Sequence, residues 1–587
     1  MDFFSILTLI GGLSLFLYGM NEMGDGLKKL SGGKLESILS KLTSRRIMAF
    51  FLGFGVTAII QSSSATTVML VGFVNSGIMK LEQTLSIIMG ANIGTTVTAW
   101  LLSLTGISGD NFFIRIVKPS SFTPILAAIG IIMTMVAKTD KKKDIGKILL
   151  GFAVLMFGME TMSESMSSLK DSPEFAKIMI MFKNPILGIL AGTLLTAIIQ
   201  SSSASVGILQ ALSATGVIPI STAIPIILGQ NIGTTITPIL SSINGNTDSK
   251  RVAMACLYIK MLGVIVIGVI FYILDFIFKM PFMSLNASPF NIAVIHTLFN
   301  ILSTIVLMPF CNLIEKLTIF SIKEKASKNK KTAQSTFRTL DERFLSVPSF
   351  AVQTCRQTVF EMAAISKKTL IDSMLLIDNY DEKLAESIVK NENEVDEYED
   401  ATSSYLLQIS EQNLSQKDSR EVSQLLHVVG DVERIADHAV NIMDAAKEIN
   451  TKNISFSPEA QRELSIMANA VREILSLATE ALVNQDLNVA KKVEPLEQII
   501  DKLNHKIKKN HIERLRTGNC TIELGFVLSD ILANFERVSD HCSNIAVCLL
   551  EIENNSLQTH EYLHNVKETG ANEFFEFYDM YKQRYSL

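Results

Sequence analysis

The sequence predicts an all-α protein of two unlike halves. The first is a polytopic membrane domain of two inverted repeats with re-entrant hairpins and broken helices, and the second is a cytoplasmic helical bundle. Three observations predict this. The 587 residues are 48% hydrophobic and 19% charged with a mean hydropathy of +0.32, but the averages hide a sharp change of text near residue 320. An internal repeat runs through the first half at an offset of 139 residues, and another, of 103 residues, runs through the second.

Before residue 320 the chain offers nearly uncharged runs: Phe3 to Met20, Phe122 to Val136, Ile148 to Met159, Val252 to Leu274 and Ile292 to Phe310. Several reach the roughly 17 to 25 apolar residues a bilayer-spanning helix needs. No basic stretch precedes Phe3 to Met20 and no small-residue cleavage site follows it, so it is expected to be a retained helix rather than a secretory signal. From about residue 345, acidic, basic and Gln residues interleave with Leu, Ile, Val and Ala at helical spacing, as in "SQLLHVVGDVERIADHAVNIMDAAKEI", which reads as a soluble bundle. The expected boundaries are a transmembrane domain at 1–320 with repeats at about 12–105 and 151–244, a basic linker at 321–344, the bundle at 345–560 and a tail at 561–587.

The repeat explains two polar interruptions of the apolar half. "TAIIQSSSA" at 57–65 recurs at 196–204, and "NIGTT" at 92–96 recurs at 231–235, with Gly12, Gly19, Gly53 and Gly90 falling on Gly151, Gly158, Gly192 and Gly229. Repeats of this kind are the recurrent plan of secondary transporters, whose substrate site lies at mid-membrane where broken helices meet. After the opening helix of the first repeat come Lys28, Lys29, Lys34, Lys41, Arg45 and Arg46 with few acids; in the second, Lys170, Lys177 and Lys183 are diluted by Glu164, Asp171 and Glu174. The positive-inside rule sets the first stretch in the cytoplasm and the second outside, which inverts the repeats and puts the amino terminus outside. "KTDKKKD" (138–144), "SKR" (249–251) and the linker then fall on the cytoplasmic side. The threading requires 48–79 and 188–217 to enter and leave on one face as re-entrant hairpins, with the serines at the turn.

A helix interrupted in the membrane leaves backbone N–H and C=O groups that must line a cavity or be buried in protein. Gln61, Ser62, Ser63 and Ser64, and Gln200, Ser201, Ser202 and Ser203, add uncharged donors and oxygens there. The donors suit a tetrahedral oxyanion at a helix N-terminus, and the oxygens suit sodium. No Lys or Arg lies near either QSSS in sequence, so a co-transported cation is the simplest source of compensating charge. Gly90, Gly94, Gly229 and Gly233 either break their helices or let backbones approach, making Asn92, Thr95, Thr96, Asn231, Thr234 and Thr235 candidate ligands. Close helix packing is the competing account of such small residues, though it does not call for Gln and Asn in both copies. His296, the one histidine of this half, has Asn300 a turn further along its helix face, and either binds or bonds a neighbouring helix.

The doubled QSSS and following NIGTT, with Ala293, His296, Thr297, Phe299, Asn300 and Pro309, resemble the type II sodium/phosphate cotransporter family over nearly all of residues 1 to 315. The resemblance implies symport of inorganic phosphate with Na+, the QSSS hairpins contributing to both sites. One departure stands out: family members commonly carry a His and a Phe-Asn pair in the helix after the second repeat, where "RVAMACLYIKMLG" (251–263) has Cys256 and Ile259-Lys260. This leaves coupling stoichiometry open.

In the second half "VERIADHAVNI" (432–442) is echoed by "FERVSDHCSNI" (535–545). Acidic pairs four residues apart recur: Glu392 with Asp396, Glu433 with Asp437, Glu497 with Asp501, and Glu536 with Asp540. Like charges at that spacing destabilise an isolated helix by roughly 0.2 to 0.5 kcal/mol each, so they either form a solvated face or are compensated by metal ions held between facing helices. These pairs resemble the PhoU-like domain, a tandem of three-helix bundles tied to phosphate signalling, some members of which bind metal clusters. The resemblance implies a regulatory half acting through a protein partner or self-association.

The expectation is therefore sodium-coupled import of inorganic phosphate across a bacterial inner membrane, regulated by a cytoplasmic PhoU-like domain. The alternatives are a membrane-anchored phosphate-signalling protein and a sodium-coupled carrier of another small anion. Cys256, Cys311, Cys355, Cys520, Cys542 and Cys548 form no CxxC pair and no zinc spacing. A net charge of −5 gives no nucleic-acid signature, and no nucleotide or catalytic-triad motif marks an enzyme.

Overall fold

The computed structural model describes residues 3–31, 46–106, 118–167, 173–323, 340–518, 520–553 and 572–587. Most of the expected linker lies outside the described residues, as do Lys34, Lys41, Arg45, Lys170 and Asp171 of the charge comparison and the start of the expected tail. The described residues are helical, with a lone β-bridge between Pro219 and Asn286, and form two compact units, Met1–Phe350 and Ala351–Leu587.

The helices of the first unit are α1 (Phe3–Ser31), α2 (Arg46–Ile60), α3 (Ser63–Asn75), α4 (Leu81–Gly94), α5 (Thr96–Ser103), α6 (Pro119–Val136) and α7 (Asp140–Met166), followed by α8 (Pro173–Met181), α9 (Pro185–Ile199), α10 (Ser202–Ser213), α11 (Ile220–Gly233), α12 (Ile236–Ser242), α13 (Thr247–Phe278), α14 (Pro289–Leu307) and α15 (Cys311–Ser321). Among the described residues, seven helical spans are long and apolar enough to cross a membrane, starting at Phe3, Leu81, Pro119, Asp140, Ile220, Thr247 and Pro289.

Glycines decide how these helices pair. A Cβ on Gly53 would stand 2.0 Å from the Ile87 carbonyl oxygen and one on Gly90 1.9 Å from that of Phe50, so α2 and α4 touch backbone to backbone. The second repeat reproduces this in α9 and α11, where Gly192 faces Ile226 and Gly229 faces Ile189. Helices α1 and α7 occupy equivalent places in the two repeats. Gly12 opposes Gly158 and Gly19 opposes Gly151, so these two helices run antiparallel. Phe16, Met156 and Met159 fill the core between them, joined by Leu102 and Ala204. A second core gathers Val206, Ile224, Ile227 and Leu228 with Ile292 and Phe299 of α14.

After α15 and the undescribed stretch, residues 340–350 pack back onto this unit. Phe344 is fully buried between Phe73 and Phe350, with ring centroids 5.4 and 4.7 Å away. Asp341 accepts from the Asn75 amide at 2.8 Å and is paired with Arg343 at 3.0 Å. Arg343 Nε donates to the Ser241 carbonyl at 2.9 Å.

The second unit is an amphipathic bundle: α16 (Pro348–Asp378), α17 (Glu382–Ser410), α18 (Gln416–Lys452), α19 (Pro458–Asn484), α20 (Val493–Arg516), α21 (Ile522–Glu553) and α22 (Asn572–Arg584). Helix α18 lies along α21, burying Val428, Val432 and Ile435 of the one and Ile531, Phe535 and Val538 of the other. Ser415 and Ser457 cap α18 and α19 by accepting from backbone N–H groups. Residues 561–587, read from the sequence as a tail, contain α22, which packs on α20, buries Tyr581 and sets Arg584 2.8 Å from Glu473.

Candidate functional site

Each QSSS sequence is a helix break of one geometry. Helix α2 ends as Gln61 takes the left-handed conformation (φ 59°), its N–H bonded to the Thr57 carbonyl at 2.8 Å. Ser62 is extended and accepts from the Ala65 N–H at 3.1 Å, capping α3. Gln200 and Ser201 repeat this between α9 and α10: φ is again 59°, and Ser201 accepts from the Ala204 N–H at 3.3 Å. A left-handed residue followed by an extended one turns the chain between two helices. It also leaves the first N–H groups of α3 and α10 without partners inside their helices. Ser63, Ser64, Ser202 and Ser203 open these two N-termini. The tips meet: Ser64 Oγ lies 3.5 Å from the Gln200 carbonyl oxygen.

The hydroxyls divide by what they already do. Those of Ser63, Ser202 and Ser203 make no hydrogen bond among the described residues and are free to donate to an anion. The threonines of both NIGTT copies donate back to their own helices: Thr95 to Ala91 and Thr96 to Ile93, Thr234 to Gln230 and Thr235 to Ile232, at 2.7 to 3.0 Å. A hydroxyl whose proton is engaged offers only lone pairs, so these four suit a cation. NIGTT interrupts its helix without turning the chain: α4 ends at Gly94 and α11 at Gly233, but Thr95 (φ −60°, ψ −28°) and Thr234 (φ −58°, ψ −24°) keep helical dihedrals, so α5 and α12 continue each span. Gly94 and Gly233 instead admit the neighbouring backbone, their added Cβ atoms falling 2.6 and 2.5 Å from the Phe54 and Thr193 carbonyl oxygens.

Beneath the shared geometry the two tips differ. In the first, Thr57 bonds Thr66 across the break at 3.0 Å, and Gln61 both donates to the Ala58 carbonyl at 2.5 Å and accepts from Thr98 at 2.6 Å. In the second, the equivalent hydroxyls of Thr196 and Ser205 are buried without partners among the described residues, as is Gln230 Oε1. Gln200 is exposed, and its side chain makes no bond among the described residues.

His296 is 2% exposed, its Nδ1 has no partner among the described residues, and Asn300 donates to the His296 carbonyl at 2.8 Å. Their helix packs against α5, α10 and α11 and so touches both repeats, though no bond joins His296 to a QSSS residue. Three groups were given no role in the sequence reading. Gln210 clamps the carbonyls of Ala99 and Pro289 at 2.9 Å each, and Gln230 donates to the Ser205 carbonyl at 2.9 Å. Lys260 donates to Asn231 Oδ1 at 3.1 Å. The sequence around Asn231 offers no basic residue, but α13 packs on α11 and brings in a lysine from 29 residues beyond Asn231. The available signal was a lone lysine in the uncharged run Val252 to Leu274.

In the bundle, carboxylate oxygens of Glu497, Asp501 and Asp540 lie within 4.8 Å of one another. Burial, and then the like charges around them, push Asp501 and Asp540 above the usual carboxylate range, Glu536 acting on both. Glu536 itself is bonded to the Asn504 amide. The donor set fits a hard cation, which would relieve this repulsion. In the other half of the bundle, burial and then Asp437 push Glu433 up to about 7, and Glu392 rises through burial, Asp437 and Asp396. Among the described residues, those four carboxylates do not converge as the first three do.

The chain matches the family described as Na+/Pi-cotransporter at residues 15–164 and again at 154–285, and the PhoU domain at 359–446 and 464–549. It is 22% identical over 568 residues to the Salmonella typhimurium protein named "Putative inorganic phosphate export protein YjbB", covering 95% of this chain and 100% of that one. It is 30% identical over 250 residues to "Uncharacterized protein YqeW" of Bacillus subtilis, covering 42% of this chain and 77% of that one. The second half is 27% identical over 217 residues to "Phosphate-specific transport system accessory protein PhoU homolog 1" of Thermotoga maritima, covering 37% of this chain and 92% of that one. The paired family matches fall one on each repeat of the first half and one on each repeat of the second, and the chain belongs to the Na+/Pi-cotransporter family, with a PhoU domain behind its transport half.

Proposed function

We propose that the protein is a sodium-coupled phosphate symporter of a bacterial inner membrane, importing phosphate under the inward sodium gradient and regulated by its PhoU domain on the cytoplasmic side. The meeting of the two tips carries this reading. Two helix N-termini with free backbone N–H groups and undonated serine hydroxyls make an anion site from neutral groups, and four back-bonded threonines next to it present lone pairs to sodium. The antiparallel pairing of α1 with its repeat counterpart α7 supports inverted repeats and hence alternating access around a fixed site. In the bundle, the acidic set of Glu497, Asp501 and Asp540 is suited to a metal ion, and the PhoU domain acts through a protein partner or self-association.

One observation favours a second reading, outward transport: the Salmonella relative is named for phosphate export. Proteoliposomes holding the purified protein separate the two. Radiolabelled phosphate uptake driven by an inward sodium gradient but not by an equal potassium gradient is expected. Ser63→Ala and Ser202→Ala should each depress it while leaving the protein folded. Wild-type uptake in both variants would sink the proposed site, whereas efflux from preloaded vesicles without sodium-driven uptake would favour export.

A further inference from the structure

Lys260 is the one charged side chain of α13 between Arg251 and Asp275. It is 8% exposed, and its Nζ is 3.1 Å from Asn231 Oδ1 in the second NIGTT. No acid pairs with it among the described residues. An ammonium buried without a counter-charge is strongly disfavoured, and in a membrane segment such a group marks a functional place. Orienting Asn231 needs only a neutral donor, so the charge itself has no structural use here. The same repeat holds the unpartnered buried oxygens of Thr196, Ser205 and Gln230. Asn92, the counterpart of Asn231, has no such lysine bond among the described residues. The polar equipment of the two repeats is thus unequal: a buried lysine bonds the second NIGTT, and none bonds the first among the described residues.

We infer that Lys260 is the resident counter-charge of the transported anion, standing in the second repeat where a coupling cation would otherwise be needed. The inference rests on the phosphate-transport reading. The anion supplies the ammonium's missing partner while bound, and Asn231 holds the ammonium in place while the site is empty.

The test is equilibrium binding of radiolabelled inorganic phosphate to the purified full-length protein in detergent at a series of sodium concentrations, with melting measured on the same samples. Lys260→Gln and Lys260→Met should bind phosphate about 10- to 100-fold more weakly, the loss expected for one hydrogen bond to a charged group. They should also need more sodium to reach half-saturation. Lys260→Arg, which keeps the charge, should stay within about threefold of wild type on the same scale. Asn231→Asp, which gives the ammonium a permanent carboxylate, should weaken phosphate binding without lowering the melting temperature, and it covers the case in which the neutral variants fail to fold. Wild-type affinity in Lys260→Gln, Lys260→Met or Asn231→Asp overturns the inference, as does a Lys260→Arg protein as impaired as Lys260→Met. A wild-type protein that binds no phosphate at any sodium concentration overturns the transport reading instead, and this inference with it.

Discussion

Replacing the left-handed glutamines should have opposite consequences at the two tips. Both Gln61 and Gln200 sit at φ 59°, where a residue with a Cβ is disfavoured by roughly 1–2 kcal/mol. Glycine removes that penalty but loosens the unfolded chain by roughly 0.5–1 kcal/mol. At Gln200, whose side chain makes no internal bond among the described residues, the difference is all that remains, so Gln200→Gly should be neutral or more stable by up to about 1.5 kcal/mol. At Gln61 two further bonds are lost, to Ala58 at 2.5 Å and from Thr98 at 2.6 Å, each contributing about 1 kcal/mol. Thr98 is 1% exposed, so its hydroxyl is left stranded. Gln61→Gly should therefore lose about 0.5–2 kcal/mol and Gln61→Ala, which keeps the strained φ, up to about 1.5 kcal/mol more. The assay is unfolding of the full-length protein in one detergent, with all variants side by side. If Gln61→Gly and Gln61→Ala are equally stable, the left-handed turn is not what these positions require. If Gln200→Gly falls as far as Gln61→Gly, the asymmetry of the tips is wrong.

Three more outcomes follow from particular contacts. Gly53→Ala would push a methyl against the Ile87 carbonyl, a rigid neighbour 2.0 Å away, and should lower stability by about 3 kcal/mol, the upper end of overpacking, with loss of phosphate uptake; wild-type melting would show that α2 and α4 are not in backbone contact. Phe344→Ala empties a fully buried ring site and should cost about 3–5 kcal/mol, while Phe344→Leu loses less; equal melting of both with wild type would remove the 340–350 segment from the core. In the acidic set, Asp540→Asn should leave the metal-free protein as stable or more so, because it removes one of three like charges. Added divalent cation should raise the melting temperature of wild type but not of this variant, and equal shifts in both would move the metal elsewhere.

Much was legible in the sequence because it is carried by local pattern or by exact repetition. Uncharged runs of spanning length, helical periodicity after residue 345 and two copies of a nine-residue motif require no knowledge of contacts. They gave the all-α class, the two halves, the family and the positions of both tips, since a Gln-Ser-Ser-Ser run inside an apolar segment is locally inconsistent with an unbroken helix. The role of the NIGTT glycines was not legible. A glycine in a helix ends it or admits a neighbour, and only the position of α2 against α4 shows that Gly94 admits one.

Spatial convergence decided the rest. The sequence by itself determined that the QSSS and NIGTT motifs are doubled, polar and uncharged along the chain. Tertiary structure alone decided that the tips touch at Ser64 and Gln200, that the pairs Thr57–Thr66 and Thr196–Ser205 differ, and that Lys260 reaches Asn231. The physical reason is that charge compensation and hydrogen-bond satisfaction act over a few ångströms in space. A helix packing 29 residues downstream can supply a partner that no window of sequence around the motif contains.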